Sequence, residues 1–266
     1  MSRIKITFLG TGGSAGMPQI GGPDGAGEWG ECDPSEPRNH RSRPSIVIEA
    51  PDGNRLLVDT GPDLRTQLTG CKIPKIHALL YTHSHADHVA GLDEIRILNR
   101  LINAPMPAYA AAECWEELKE RFAYAFRPWT GTGFFRPVFD AHEVKSGDSL
   151  DILGLQTQII GLDHGYATTL GLRIGKFAYC TDVVRFDDSA LSALENLNIF
   201  VVDCFTRHDP HPTHANLAQV LAWIEKLQPK RTILTHMGPS MDYAWLLKNL
   251  PPGIEPAYDG MVLESD

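Results

Sequence analysis

The sequence predicts an α/β protein built from two β-sheets with helices on their outer faces. Two observations lead there. Apolar runs of strand length alternate with helical periodicity in both halves of the chain. In the second half, four such runs each end in a His or an Asp. At 266 residues and 42% apolar content the chain can bury a sizeable core. No linker or repeat divides it, so residues 1–266 read as one domain.

Residues 4–9 alternate apolar and polar, as a strand does. Gly10-Thr11-Gly12-Gly13-Ser14 follows, but neither a G-K-[ST] motif nor a helical pattern accompanies it. It therefore reads as a loop at the mouth of a site rather than a phosphate loop. The Gly/Pro-rich segment 21–44 extends that loop, and stretches this long without regular structure are usually functional or mobile. Residues 45–50 and 55–58 form a hairpin that turns at Asp52-Gly53. His77-Ala78-Leu79-Leu80-Tyr81 is a buried strand, and helical periodicity covers 89–102, with Leu92, Ile95, Ile97, Leu98 and Leu101 apolar. A short strand at 107–110 precedes a helix at 113–123, with Trp115, Leu118 and Phe122 on one face. The aromatic stretch 122–135 reads as core or dimer contacts, with a wall for a nucleobase or sugar as the alternative. Strands at 155–162, 169–174, 177–180, 199–202 and 232–235 follow. Four of them lead into Asp163-His164, Thr181-Asp182, Asp203-Cys204 and His236. A Thr213 N-cap opens a helix at 214–227.

The chemistry concentrates in Tyr81-Thr82-His83-Ser84-His85-Ala86-Asp87-His88, where three imidazoles and a carboxylate fall within six residues. His83 and His85 point the same way from an extended segment, while Asp87 and His88 sit where the chain turns helical. One pair can face one metal ion and the other pair a second. An ordinary polar turn is the competing explanation. It leaves several imidazoles together, each needing partners for two ring nitrogens.

Bulk properties narrow the class. A formal net charge of −9 disfavours a large nucleic acid as partner, since phosphate neutralisation requires a basic surplus. Five scattered cysteines without a C-x-x-C motif suit a reducing compartment rather than a disulfide framework. Cys180 and Cys204 read as buried apolar residues. No apolar signal segment opens the sequence, and no window reaches the ~18 apolar residues of a membrane span. The expected location is cytoplasmic.

The His/Asp stretch resembles the signature of the metallo-β-lactamase superfamily. The order of elements and the residues closing each strand are similar to it as far as Val262. The resemblance implies a four-layer αββα sandwich of two mixed β-sheets flanked by helices. It further implies that His83, His85 and His164 hold one divalent ion and that Asp87, His88 and His236 hold a second. Asp182 would bridge the two, Asp87 would count among the catalytic residues as well, and Asp59 would lie behind the cluster and orient a ligand. Nitrogen and oxygen donors suit zinc above all, with manganese the competitor. Two ions ~3.5–4 Å apart lower the pKa of a shared water and clamp the oxygens of the group under attack.

A closer resemblance is to the PhnP-type phosphodiesterases of phosphonate utilisation. It rests on Gly10-Thr11-Gly12-Gly13, Arg43-Pro44-Ser45, Val58-Asp59-Thr60-Gly61, Asp203-Cys204, a His opening the next helix, and Tyr258-Asp259-Gly260. It implies that His214 is the general acid and places Asp259 with Asp59 behind the ligands. His208 and His211 are expected as surface or loop histidines. Those relatives bind a separate structural zinc through clustered cysteines. Here only Cys32 stands in that region, so no structural zinc is expected, and residues 21–44 must be ordered by other contacts or a neighbouring subunit. The function implied is hydrolysis of a small cyclic or nucleotide-like phosphodiester, with a homodimer possible for the family. Three alternatives stand beside it: RNA 3′-end processing, which would call for a basic exosite arm; thioester or lactone hydrolysis; and a non-hydrolytic role in coenzyme biosynthesis.

Overall fold

The computed structural model describes residues 3–129, 131, 135–208 and 210–266. Its first sheet contains β1 (Ile4–Gly10), β2 (Ser45–Glu49), β3 (Arg55–Val58), β4 (Ala78–Leu80), β5 (Met106–Ala110) and β6 (Phe139–Glu143). The second contains β7 (Ser149–Ile152), β8 (Leu155–Asp163), β9 (Thr168–Ile174), β10 (Phe177–Cys180), β11 (Ile199–Asp203), β12 (Arg231–Thr235) and β13 (Ile254–Pro256). The closing strand β14 (Val262–Ser265) returns to the first sheet beside β1.

Both sheets follow one plan. In the first, β14, β1, β2 and β3 pair antiparallel, and β3, β4, β5 and β6 pair parallel. In the second, β7 to β10 are antiparallel and β10 to β13 parallel. The pleat sorts side chains between layers. Leu56 and Val58 of β3 join a core shared with Leu170 and Leu172 of β9. Leu57 points the other way, into a cluster with α1 (Leu64–Gly70), α3 (Ile95–Ile102) and α4 (Ala112–Arg121). The outer face of the second sheet packs residues of α6 (Asp188–Ala193), α7 (Leu217–Leu227) and α8 (Tyr243–Asn249). Four layers result, as expected for this fold class.

Several boundaries differ from the sequence reading. The helix expected over 89–102 is broken into α2 (Ala86–Val89), a 3-10 turn at Leu92–Glu94 and α3. The cause is a backbone contact. Gly91 N–H donates to Thr60 O at 2.8 Å, and a Cβ on Gly91 would lie 2.1 Å from the Gly61 carbonyl oxygen. The chain after β3 and the chain after the His cluster are thus pinned together. Helix α7 begins at Leu217, capped by Asn216 in a capping box with Gln219, and not at Thr213. The backbone just before it bridges to the chain after β11, with Phe205 N–H donating to Ala215 O. Strands β6, β7, β13 and β14 and helices α1, α6 and α8 were not expected, because their short segments carry little periodicity. Of the aromatic stretch, α5 (Ala123–Phe126) contributes Phe126 to a ring cluster with Trp115 and Phe139. Phe134 lies outside the described residues.

The long loop is ordered by contacts within the chain. The buried Arg41 guanidinium donates to Met241 O at 2.6 Å and to Asn39 Oδ1 at 3.1 Å. Asp242 accepts from Asn39 Nδ2 and from Asp33 N–H. Glu31 pairs with Arg207 and His208. Among the described residues no helix is long and apolar enough to cross a membrane.

The Gly61–Gly91 contact leaves no room for a methyl group. Gly91→Ala should cost about 1–3 kcal/mol, as overpacking does. Urea denaturation should show a lower midpoint at unchanged slope. An unchanged midpoint would show that the contact is not rigid.

Candidate metal centre

The C-terminal ends of the parallel strands meet at one place, where open α/β sheets commonly bind ligands. Asp59 follows β3, the His cluster follows β4, Asp182 follows β10, Asp203 ends β11 and His236 follows β12. His83, His85, His164 and Asp182 form one group that could hold a metal ion. Asp87, His88, Asp182 and His236 form a second, so Asp182 belongs to both. Its Oδ1 lies 3.8 Å from His83 Nε2, 3.9 Å from His164 Nε2 and 3.3 Å from His236 Nε2. Its Oδ2 lies 3.2 Å from His88 Nε2. Asp87 Oδ2 is 3.4 Å from His88 Nε2 and 3.6 Å from His236 Nε2.

The donor set fits divalent cations. His83 Nε2, His88 Nε2, His236 Nε2 and Asp87 Oδ2 are buried and lack a hydrogen-bond partner. Such groups are costly to bury unless something binds them. All seven donors are imidazole nitrogens or carboxylate oxygens, suited to zinc or manganese. The opposite nitrogens of His83, His88 and His164 are held. His88 Nδ1 meets Asp59 Oδ2 at 2.7 Å, and Asp59 also accepts from Thr82 N–H and Thr82 Oγ1. Thr82 Oγ1 lies 3.0 Å from His83 Nδ1, and His164 Nδ1 donates to Thr213 O at 2.7 Å. These bonds fix the tautomers of the three rings and aim their Nε2 atoms into the centre.

Asp59, Asp182 and His236 adopt left-handed backbone angles, with φ of 66°, 53° and 55°. Each costs of order 1 kcal/mol or more for a residue with a Cβ. The turn swings the side chain off its strand end and into the centre. Charge is balanced there too. Burial pushes the His88 and His236 imidazoles toward neutrality, but Asp182, with Asp87 and further carboxylates behind it, wins, raising His236 to about 9 and His88 well above its ordinary value. Burial holds the His83, His85 and His164 imidazoles below theirs. Burial also raises the Asp59 carboxyl, against the pull of His88. A bound cation would take over the role of the protons on His88 and His236.

His214 lies beside the cluster. Its ring stacks on His236 at 4.6 Å and on Phe205 at 5.1 Å, and it is 4.8 Å from His164. Its Nδ1 meets Asp203 Oδ2 at 2.8 Å, and Asp203 also accepts from Val183 N–H. The pairing of Asp203 with His214 was not read from the sequence, although Asp203 closes a strand just as the ligands do. Asp259 is placed differently from its expectation. Its hydrogen bonds go to Thr11 Oγ1 and to Ser42, bracing the Gly-rich turn against the long loop, and reach none of the seven residues. His208 is an exposed partner of Glu31, whereas His211 packs beside Phe205 and His214.

The profile of the Beta-lactamase superfamily domain matches residues 54–237. The chain belongs to the metallo-β-lactamase superfamily. A solved diphosphatase from the PhnP family is 35% identical, with a TM-score of 0.87 over 99% of this chain and 97% of that one. An octanoyltransferase of Porphyromonas gingivalis is 28% identical over 97% of this chain. The match takes in 51% of that relative, so the chain spans about half its length. The anti-Pycsar protein Apyc1 of Paenibacillus harenae is 30% identical over 72% of this chain and 81% of its own.

Two predictions follow from the partners. Asp59→Asn should weaken metal binding about 10–100-fold, as loss of such a partner typically does; competition with a chelator measures it, and unchanged affinity would contradict the assignment. Burial raises Asp259 to about 6 from an ordinary 3.8. The folded chain therefore holds that proton more tightly than the unfolded one. Its stabilising contribution is full below pH ~4 and is lost as pH rises through ~6. Relative to Asp259→Asn, the wild type should lose roughly 1 kcal/mol of stability between pH 5 and 7.5 in urea titrations. Parallel pH dependence of the two proteins would contradict this.

Proposed function

We propose that the protein is a metal-dependent hydrolase acting on a small cyclic or nucleotide-like phosphodiester, with His214 as general acid. The carrying observation is the buried Asp203–His214 pair set against both ligand groups. Two divalent ions on the seven donors would supply the Lewis acidity and activated water of a two-metal hydrolase. The chain's own residues supply the rest. Asp203 engages Nδ1 of His214 and leaves Nε2 as the nitrogen that can pass a proton to a leaving oxygen. Its carboxylate stabilises the imidazolium before transfer, as the orienting acid of a catalytic triad does. Phe205 and His236 hold the ring by stacking on it. An alkoxide leaves poorly without a proton, which makes such a histidine useful for a diester.

The similarity to a PhnP-family diphosphatase supports phosphorus over carbon as the centre attacked. The net charge of −9 supports a small substrate over RNA or DNA.

Chelator-stripped protein should lose hydrolysis of bis(p-nitrophenyl) phosphate and regain it with zinc or manganese. Silence with both, on protein carrying two ions, would overturn the reading. His214→Ala should slow diesters with alkoxide leaving groups by about 10²–10⁴ while largely sparing p-nitrophenyl esters. Uniform loss, or no loss, would rule out the acid role.

A further inference from the structure

Two cavities that share no residue flank the ligand cluster: one is lined by the ligands His83 and His85 themselves, the other reaches it through His214, whose ring stacks on His236. The larger, ≈ 980 Å³, is lined by His83, Ser84, His85, Tyr166 and residues of α4 and of the chain after β6. The smaller, ≈ 200 Å³, is lined by His214, His211, Phe205 and the turn at 13–16. We propose that the larger cavity binds a nucleoside, the half of the substrate that keeps the phosphoryl group, and that the smaller receives a small leaving alcohol. The proposal rests on the phosphodiesterase reading and adds a direction to it.

The direction comes from His214. A general acid must lie within hydrogen-bond reach of the oxygen it protonates, so the departing alcohol is on the side that His214 lines. That space is smaller than the roughly 300–1,000 Å³ of ordinary small-molecule sites, whereas the other cavity is at the top of that range. In the step itself, water adds its oxygen to phosphorus and the P–O bond to the alcohol breaks. His214 gives its proton to the alkoxide, and the products are a nucleoside monophosphate and a free alcohol.

The nature of the retained half comes from the lining. Besides the histidines, Glu113, Glu117, Glu143 and Asp148 line it together with Arg121 and Lys145. Arg121 is paired with Glu117 at 2.5 Å, and Ser84 Oγ donates to the same carboxylate. Three carboxylates then remain against one lysine. Ribose hydroxyls can donate to carboxylates, whereas a further phosphate would be repelled. Tyr166, 76% exposed at the junction with His85, offers a ring face on which a base can stack.

The test uses metal-loaded protein and the ethyl ester of adenosine 5′-monophosphate, with products separated by chromatography. The expected products are adenosine monophosphate and ethanol; adenosine with ethyl phosphate would overturn the direction. A 3′-phosphate on the same ester should raise KM at least tenfold, and an equal or lower KM would overturn the charge argument. Ala112→Trp, which narrows the larger cavity, should raise KM for the adenosine ester at least tenfold more than for methyl p-nitrophenyl phosphate. By calorimetry it should also weaken adenosine monophosphate binding at least tenfold. Binding unaffected by Ala112→Trp would overturn the cavity assignment alone. Hydrolysis of neither ester would overturn the phosphodiesterase reading, and the direction with it.

Discussion

The carboxylate of Asp182 is the constraint on which the rest of the centre depends. It is 1% exposed and lies within 4 Å of Nε2 on His83, His88, His164 and His236. An ionised carboxylate so deeply buried is tolerable only with cationic or hydrogen-bonding partners on every side. Thr181 Oγ1 donates to its Oδ2 at 2.6 Å, and Thr169 holds its backbone carbonyl. The remaining stabilisation must come from charge, carried by protons on the imidazoles or by metal ions between them. Because Asp182 belongs to both ligand groups, neither group is complete without it.

The architecture makes that convergence possible. Each sheet has a parallel half, and the two parallel halves bring their C-terminal strand ends to the same region. The first sheet sends Asp59 and the His cluster, and the second sends Asp182, Asp203 and His236. A helix macrodipole contributes little here, since α2 is a single turn. What aims the side chains is instead the left-handed turn at Asp59, Asp182 and His236, together with the bonds to the far nitrogens of His83, His88 and His164. Backbone strain of this kind persists only where surrounding contacts over-determine it. The close approach of Gly61 and Gly91 is one such contact.

Legibility in the sequence followed locality. H-x-H-x-D-H could be read because its four side chains come from one strand end and one helical turn. His164, Asp182 and His236 stood out only as polar residues closing apolar runs. Grouping them needed the resemblance, because their proximity is created by strands far apart in sequence. The helix break at Gly91 was invisible, since its cause is a carbonyl thirty residues away. Thr213 looked like a cap by residue type, but its carbonyl is taken by His164 Nδ1 and the true cap is the reciprocal Asn216–Gln219 pair. Asp259 sat in a shared motif that said nothing of its partners. Its two hydroxyl contacts tie together loops from opposite ends of the chain.

The central claim is that two ions share one carboxylate, and crystallography with zinc-loaded protein tests it most directly. Anomalous difference maps at the zinc edge should show two peaks per chain. One should lie among His83, His85 and His164 and the other among Asp87, His88 and His236, with Asp182 between them. A single peak, or a peak held by Asp203 and His214 in place of Asp182, would contradict the account.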